Sequence, residues 1–416
     1  MNLKQIRLTF ALLFSLVAPG TLTAQSTLGW ENRVGSWAAS QQIPEPRNAL
    51  PAEDLRDATL RQIVHLSIGG RTLRVHLSNA FGVEPLHLSS VHIARPVSSS
   101  SSRIDPASDK ALSFSGSPEV TIPAGAEYIS DTIDYPSAPL SDIAISLHID
   151  TPPAQQTSHP GSRSTSFIAH GDLVAAVDLP DAKKVEHWYM IGGIDVVAPA
   201  GAFSIVTLGD SITDGHAATT NGNDRWPDVL AQRLQASSTT QNIGVLNHGI
   251  GGNHLLIDGL GPNALARFDC DVLAQPGARY VILLEGVNDL GGLSRMGEAD
   301  AARHDALVQA ILGSYEQIVT RAHAHGVRVI GTTILPYAGS GYYHPAAAVE
   351  ADRQKVNQWI RAAGHFDAVV DFDKVLADPK DPTRMLPAYD SGDHLHPSPA
   401  GYRAMGQAIP LSLFAK

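Results

Sequence analysis

Cysteine is nearly absent from this sequence: Cys270 is alone among 416 residues. A single thiol closes no internal disulfide, so the fold must hold by packing, and thiol catalysis or a cysteine metal site is disfavoured. Positive charge is also sparse, with 30 Lys and Arg against 41 Asp and Glu and a formal net charge of -11. No basic cluster interrupts that balance, which argues against nucleic acid or an anionic membrane surface as a partner. Long apolar runs are missing as well: nothing reaches the roughly 20 residues that a membrane-spanning helix needs. What is present is ordinary globular material, 43% hydrophobic and 17% charged, which excludes disorder over most of the length.

Near the start, Lys4 and Arg7 precede the apolar run from Leu8 to Ala18, and small and polar residues follow as far as Ala24. That pattern predicts a secretory signal peptide over residues 1–24 and a secreted or periplasmic protein. An uncleaved anchor is the other reading, because Leu22 is an imperfect residue three positions from the expected scission. The length exceeds that of a usual single core, so two further domains are expected.

From Trp30 to about Ala198 the pattern is short, alternating and rich in turns. Thr59 to Ile68 and Thr72 to Leu77 flank Gly69-Gly70, which reads as a hairpin. Further strands are expected at Leu86 to Ile93, Val120 to Ile122, Ile143 to Ile149, Ser164 to Ala169 and His187 to Val197. Strands at this spacing predict a β-sandwich or jelly roll over residues 25–199. The run Ser98 to Ser102 offers nothing to bury and is expected in an exposed loop.

Pro199-Ala200-Gly201-Ala202 marks a joint, and over residues 200–416 strand and helix patterns alternate as in a parallel sheet covered on both faces. Strands are expected at Ile205 to Leu208, Ile243 to Leu246, Tyr280 to Leu284, Arg328 to Ile334 and Ala368 to Asp371. Helices are expected at Asp224 to Gln235, Ala299 to His325 and Ala346 to Ala363. Ligands of such sheets sit at the carboxyl ends of the strands.

The loops that leave those ends carry chemistry-bearing residues. After the first strand comes Gly209-Asp210-Ser211, which presents a hydroxyl on a tight turn; the same serine can equally cap the next helix. A nucleophilic serine needs a base, a carboxylate to orient it and donors for the oxyanion. His396 is the candidate base, because Asp393 lies three residues before it and Pro397 keeps it out of helical backbone. The backbone N–H groups of Ser211 and Gly252 and the amide of Asn288 are candidate oxyanion donors. Asp390, Asp393, His394 and His396 have side chains that can also bind a metal, the alternative of a metal-dependent phosphoesterase. A dinucleotide fingerprint fails, since His254 stands where its third glycine belongs, and Thr213 breaks the Gly-x-Ser-x-Gly elbow.

Taken together, Gly-Asp-Ser at Ser211, the glycine block at Gly252, Gly-x-Asn-Asp at Asn288 and Asp-x-x-His at Asp393 and His396 resemble the motif blocks of the SGNH hydrolase family, the GDSL esterases and lipases. The resemblance implies a flavodoxin-like catalytic domain and acyl-ester hydrolysis by Ser211, His396 and Asp393, with no cofactor and no metal. Upstream, Val34-Gly35-Ser36-Trp37-Ala38 and Arg74-Val75-His76-Leu77-Ser78-Asn79-Ala80-Phe81-Gly82 resemble the accessory β-domain of exported bacterial members linked to polysaccharide deacetylation. That part implies a small-molecule or polysaccharide ester as substrate, acetyl esters above all, with aryl esters and lipids as the alternative. A non-catalytic glycan-binding protein is the remaining reading.

Overall fold

The computed structural model describes residues 31–295 and 299–415. The signal peptide expected over 1–24 lies outside the described residues.

Two large antiparallel sheets, with two short two-stranded ones beside them, make up the N-terminal part. One joins Arg33–Ala38, Ile191–Val197 and Gly70–Ser78, with Glu127–Ile129 and Ile133–Ser137 both against Gly70–Ser78. The other runs Lys183–Val185, Ser166–His170, Ala58–His65, Asp142–Ile149, Ser90–Ala94 and Lys110–Ala111. Leu60, Val64, Ile145 and Leu147 from the second face Leu73, Val75, Leu77 and Ile194 from the first in one apolar core, which is the expected sandwich.

The hairpin expected at Gly69-Gly70 does not form. Ala58–His65 and Gly70–Ser78 belong to different sheets, and the segment between them crosses from one to the other. Its polar groups bond elsewhere: Leu66 N donates to Ser141 O at 2.9 Å, and Ser67 Oγ to Ser36 O at 2.5 Å. A two-residue turn would have left those groups unpaired in the interior. Ala58–His65 is also buried on both faces, because Ile63, Phe167, Ile104 and Leu179 form a second, smaller core behind the sheet. Buried Arg61 spans that layer and donates to the carbonyls of Ser102 at 2.6 Å and Ala176 at 2.8 Å, so the serine run is tied down at one end. The strand expected from His187 to Val197 breaks at Met190, whose φ is +59°, and Trp188–Tyr189 pairs separately with Ser158–His159.

After Val197 the chain enters a five-stranded parallel sheet in the order Ile243–Gly249, Phe203–Gly209, Ala278–Leu284, Arg328–Thr332 and Ala368–Val370. That is the flavodoxin-like order, with its reversal between the first strand and its two neighbours. Phe203–Gly209 is buried throughout, and its polar side chains are satisfied locally: Ser204 Oγ donates to Pro276 O at 2.8 Å and Thr207 Oγ1 to Leu246 O at 3.2 Å. Helices Trp226–Gln235 and Pro399–Ala408 pack together, as do Ala301–Ala324 and Ala347–Arg361. Asp300 caps the longest by accepting from Arg303 N, and Gly326 at φ +71° follows its end. Among the described residues no helix is long and apolar enough to cross a membrane.

The two parts share an interface at the edge of the parallel sheet. Gly35 N donates to Pro276 O at 2.9 Å, and Val245 N on the edge strand donates to Ser67 Oγ at 2.8 Å. A Cβ on Gly35 would stand 2.6 Å from Leu246 Cδ1, so a larger residue there would have to displace that side chain.

Candidate active site

Phe203–Gly209 ends at Asp210, whose Oδ1 accepts from Ile212 N at 2.8 Å and so caps the short helix Ser211–Asp214. The cap turns the Ser211 hydroxyl out of the sheet, and Gly209 permits it: a Cβ there would stand 2.1 Å from Thr213 Oγ1 and 2.6 Å from Leu284 O. Ser211 Oγ lies 2.8 Å from His396 Nε2. On the far side of the ring, Nδ1–H donates to Asp393 Oδ2 at 2.6 Å, which leaves Nε2 to accept from the serine. Asp393 Oδ1 accepts from the backbone N–H of Leu395 at 2.9 Å and of His396 at 2.8 Å. Burial pushes the Asp393 carboxyl up, but the bonds from the His396 side chain and backbone prevail and hold it well below the usual carboxylate range. The three residues predicted from the sequence are therefore linked in one hydrogen-bonded line.

The predicted donors converge on the same cleft, which Ser211, Gly252, Asn288 and His396 all line. Gly252 holds φ +71°, and a Cβ there would come within 2.9 Å of Leu260 Cδ1. Among the described residues no acceptor takes the backbone N–H of Ser211 or Gly252. Asn288 is oriented on both sides: Tyr343 donates its hydroxyl to Oδ1 at 2.5 Å, and Nδ2 donates to Asn253 O at 2.6 Å. One amide hydrogen remains for a ligand. Such an array can hold a developing negative charge opposite a serine nucleophile.

Several supporting residues carried no motif. Arg267, buried between strand ends, donates to Gly209 O at 2.9 Å, His248 O at 2.7 Å and Asn253 Oδ1 at 3.0 Å, fixing two loops relative to each other. Asp289 accepts from Leu255 N at 2.9 Å and Leu256 N at 3.1 Å, which pins the loop after Gly252. Behind the serine, Asp210 and Glu285 follow the register pair Gly209 and Leu284, and each keeps one carboxyl oxygen buried without a partner. Burial pushes Asp210 up to about 7 and Glu285 well above the ordinary range, Asp210 adding to the latter. His216 lies against His396 with ring centroids 4.0 Å apart. Burial, with His396 and Arg163 nearby, pushes His216 down to about 4, so it is neutral near pH 7.

The metal reading joined Asp390, Asp393, His394 and His396, but the structure splits them into two pairs. His394 Nδ1 bonds Asp390 Oδ2 at 2.5 Å, apart from the pair at His396. The described residues whose donor atoms do gather are His216, Asp393 and His396, within 4.8 Å. That set fits a metal poorly, because both nitrogens of His396 already bond Asp393 and Ser211.

No motif marks the cleft's second wall. Gln42, Glu45, Arg47, Asn48, Arg163 and His187, all upstream of the joint, line it together with Ser211 and His396. His159 also reaches the nucleophile's helix, its Nε2 lying 3.0 Å from Asp214 Oδ1.

Residues 207–404 match the GDSL-like Lipase/Acylhydrolase family. A G-D-S-L family protein from Desulfitobacterium hafniense shares 26% identity over 49% of this chain and 96% of its own, with a TM-score of 0.36. An acetylxylan esterase from Geobacillus stearothermophilus shares 19% over 50% and 92%, TM-score 0.36. An aryl esterase of M. smegmatis shares 14% over 51% and 99%, TM-score 0.35. The comparison with curated proteins returned no match. The family match spans the strand-ending loops from Ser211 to His396, so residues 207–404 resemble a GDSL-like lipase/acylhydrolase domain, and the protein is an ester hydrolase.

Proposed function

We propose that the protein is an exported serine esterase that removes short acyl groups, chiefly acetyl, from carbohydrate. The observation that carries the mechanism is the line Asp393–His396–Ser211 facing the free donors of Gly252 and Asn288. Ser211 attacks the acyl carbonyl as His396 takes its proton, and Asp393 stabilises the imidazolium. The tetrahedral oxyanion is held by the N–H groups of Ser211 and Gly252 and the Asn288 amide. His396 returns its proton to the leaving alcohol, and water then cleaves the acyl-enzyme with His396 again as base.

Polar groups on the second wall, Gln42, Glu45, Asn48 and His187 among them, support a hydroxylated alcohol rather than a lipid chain. Export rests on the pattern of Lys4, Arg7 and Leu8 to Ala18. The same reading divides the chain into a signal peptide over 1–24, an accessory β-domain over 25–199 and a catalytic domain over 200–416. A second reading, aryl esters, is favoured by Tyr342 at the rim, whose ring packs edge-on to Tyr343 with centroids 4.7 Å apart.

The test is Ser211→Ala, expected to abolish hydrolysis of p-nitrophenyl acetate and covalent labelling by an organophosphonate while the folded circular-dichroism spectrum is kept. Turnover surviving in a clean preparation refutes the mechanism. A chain-length series beside acetylated xylan and pectin tests the substrate, and a preference for long acyl chains overturns the carbohydrate assignment.

A further inference from the structure

The cleft contains acidic and basic groups from both parts of the chain, and nearly all are already engaged. Asp214 Oδ2 accepts from Gly251 N at 3.1 Å, and its Oδ1 faces His159. Glu45 accepts from Asn48 Nδ2 at 2.9 Å and lies 3.8 Å from Arg47. His187 Nδ1 donates to Pro160 O at 2.6 Å. Asp393 is committed to His396 and to backbone N–H groups.

Arg163 differs. It is half-buried on the wall of the cleft, and among the described residues no carboxylate pairs with it. Its Nη2 donates to His216 Nδ1 at 3.0 Å, while its Nε is buried and has no acceptor. The backbone at Arg163 holds φ +49°, an unfavourable conformation for a residue with a side chain, stabilised in part by Asn221 N donating to Arg163 O at 2.8 Å. In a protein of net charge -11, a half-buried guanidinium without a counter-ion is an anion site short of its anion.

Its place relative to the reaction gives the direction. Arg163 bonds His216, and His216 lies against His396, the group that hands a proton to the departing alcohol. Gly252 and Asn288, which face the oxyanion, belong to other loops. The guanidinium is therefore on the side of the leaving alcohol.

We propose that Arg163 selects esters whose alcohol carries a carboxylate, the acid group of an O-acylated uronate or hydroxy acid binding the free guanidinium donors. The proposal rests on the serine mechanism above. It makes the N-terminal part of the chain a determinant of substrate choice.

The test compares kcat/KM for 4-acetoxybenzoate and its neutral match 4-acetoxybenzamide, with acetylated polygalacturonate and O-acetyl-lactate separating polymeric from small acids. Wild type should favour the benzoate. That preference should fall at least tenfold in Arg163→Gln, recover in part in Arg163→Lys, and weaken in wild type as salt is raised. Equal handling of the two esters by wild type, or an equal loss on both in Arg163→Gln, overturns the proposal; the second result would leave Arg163 only the role of holding His216. Turnover of neither ester by wild type, with Ser211 unlabelled, would overturn the serine mechanism itself and the selectivity with it.

Discussion

The loop from Asp390 to His396 carries two aspartate–histidine pairs of the same composition, and the chain buries them in opposite senses. In one, the Asp390 side chain is 9% exposed and His394 48%; in the other, Asp393 is 43% exposed and His396 11%. Asp390 builds the loop, its Oδ1 accepting from Gly392 N at 2.8 Å and His394 N at 3.1 Å, while its Oδ2 meets His394 Nδ1 at 2.5 Å. Asp393 instead serves the histidine, whose far nitrogen meets Ser211. Residue type and spacing barely separate the pairs. What separates them is which partner is withdrawn from water.

The largest expected effect in this comparison is that of His396→Ala, which should lower kcat/KM for p-nitrophenyl acetate on the order of 10⁴-fold or more. If it retains a tenth of the wild-type rate, the two pairs are equivalent and the assignment fails. Asp393→Asn should cost on the order of 10³- to 10⁴-fold by leaving the imidazolium without its carboxylate. The same variant bears on stability. Because the folded carboxyl of Asp393 lies below its unfolded value of about 3.9, its contribution is present above that pH and is lost as the pH falls through the folded value. Thermal unfolding should therefore respond less to acid below about pH 4 in Asp393→Asn than in wild type. A parallel pH dependence in both would show that Asp393 is not held down. In the activity profile Asp393, held ionised, should contribute no step until well below the ordinary carboxylate range. The smallest effect belongs to His394→Ala: as an exposed side chain it should leave kcat/KM within about threefold. A hundredfold loss there would mean that both pairs take part.

What could be read in advance follows the range of the interactions. The parallel strands, their helices and the loops holding Ser211, Gly252, Asn288, Asp393 and His396 show in the sequence because apolar runs and turn residues are local signals. The missed hairpin shows where this stops: Gly69-Gly70 looks like a turn, but the bonds of Leu66 and Ser67 go to Ser141 and Ser36, residues remote in sequence. Arg267 and Tyr343 were illegible for the same reason, since an arginine in a short helix and a tyrosine in a loop have many uses. So was the second wall of the cleft. Arg163 and His216 are 53 residues apart, and no periodicity relates them.

One bond across the interface has a consequence for how such a chain can change. Ser67 lends its hydroxyl to Val245 N, closing a donor on the edge strand of the parallel sheet that would otherwise invite pairing with a foreign chain. Expressed alone, the C-terminal half would carry an open edge and a cleft with one side missing. A cut between the strands ending at Val197 and beginning at Phe203 would remove that hydroxyl and the upstream wall of the cleft together.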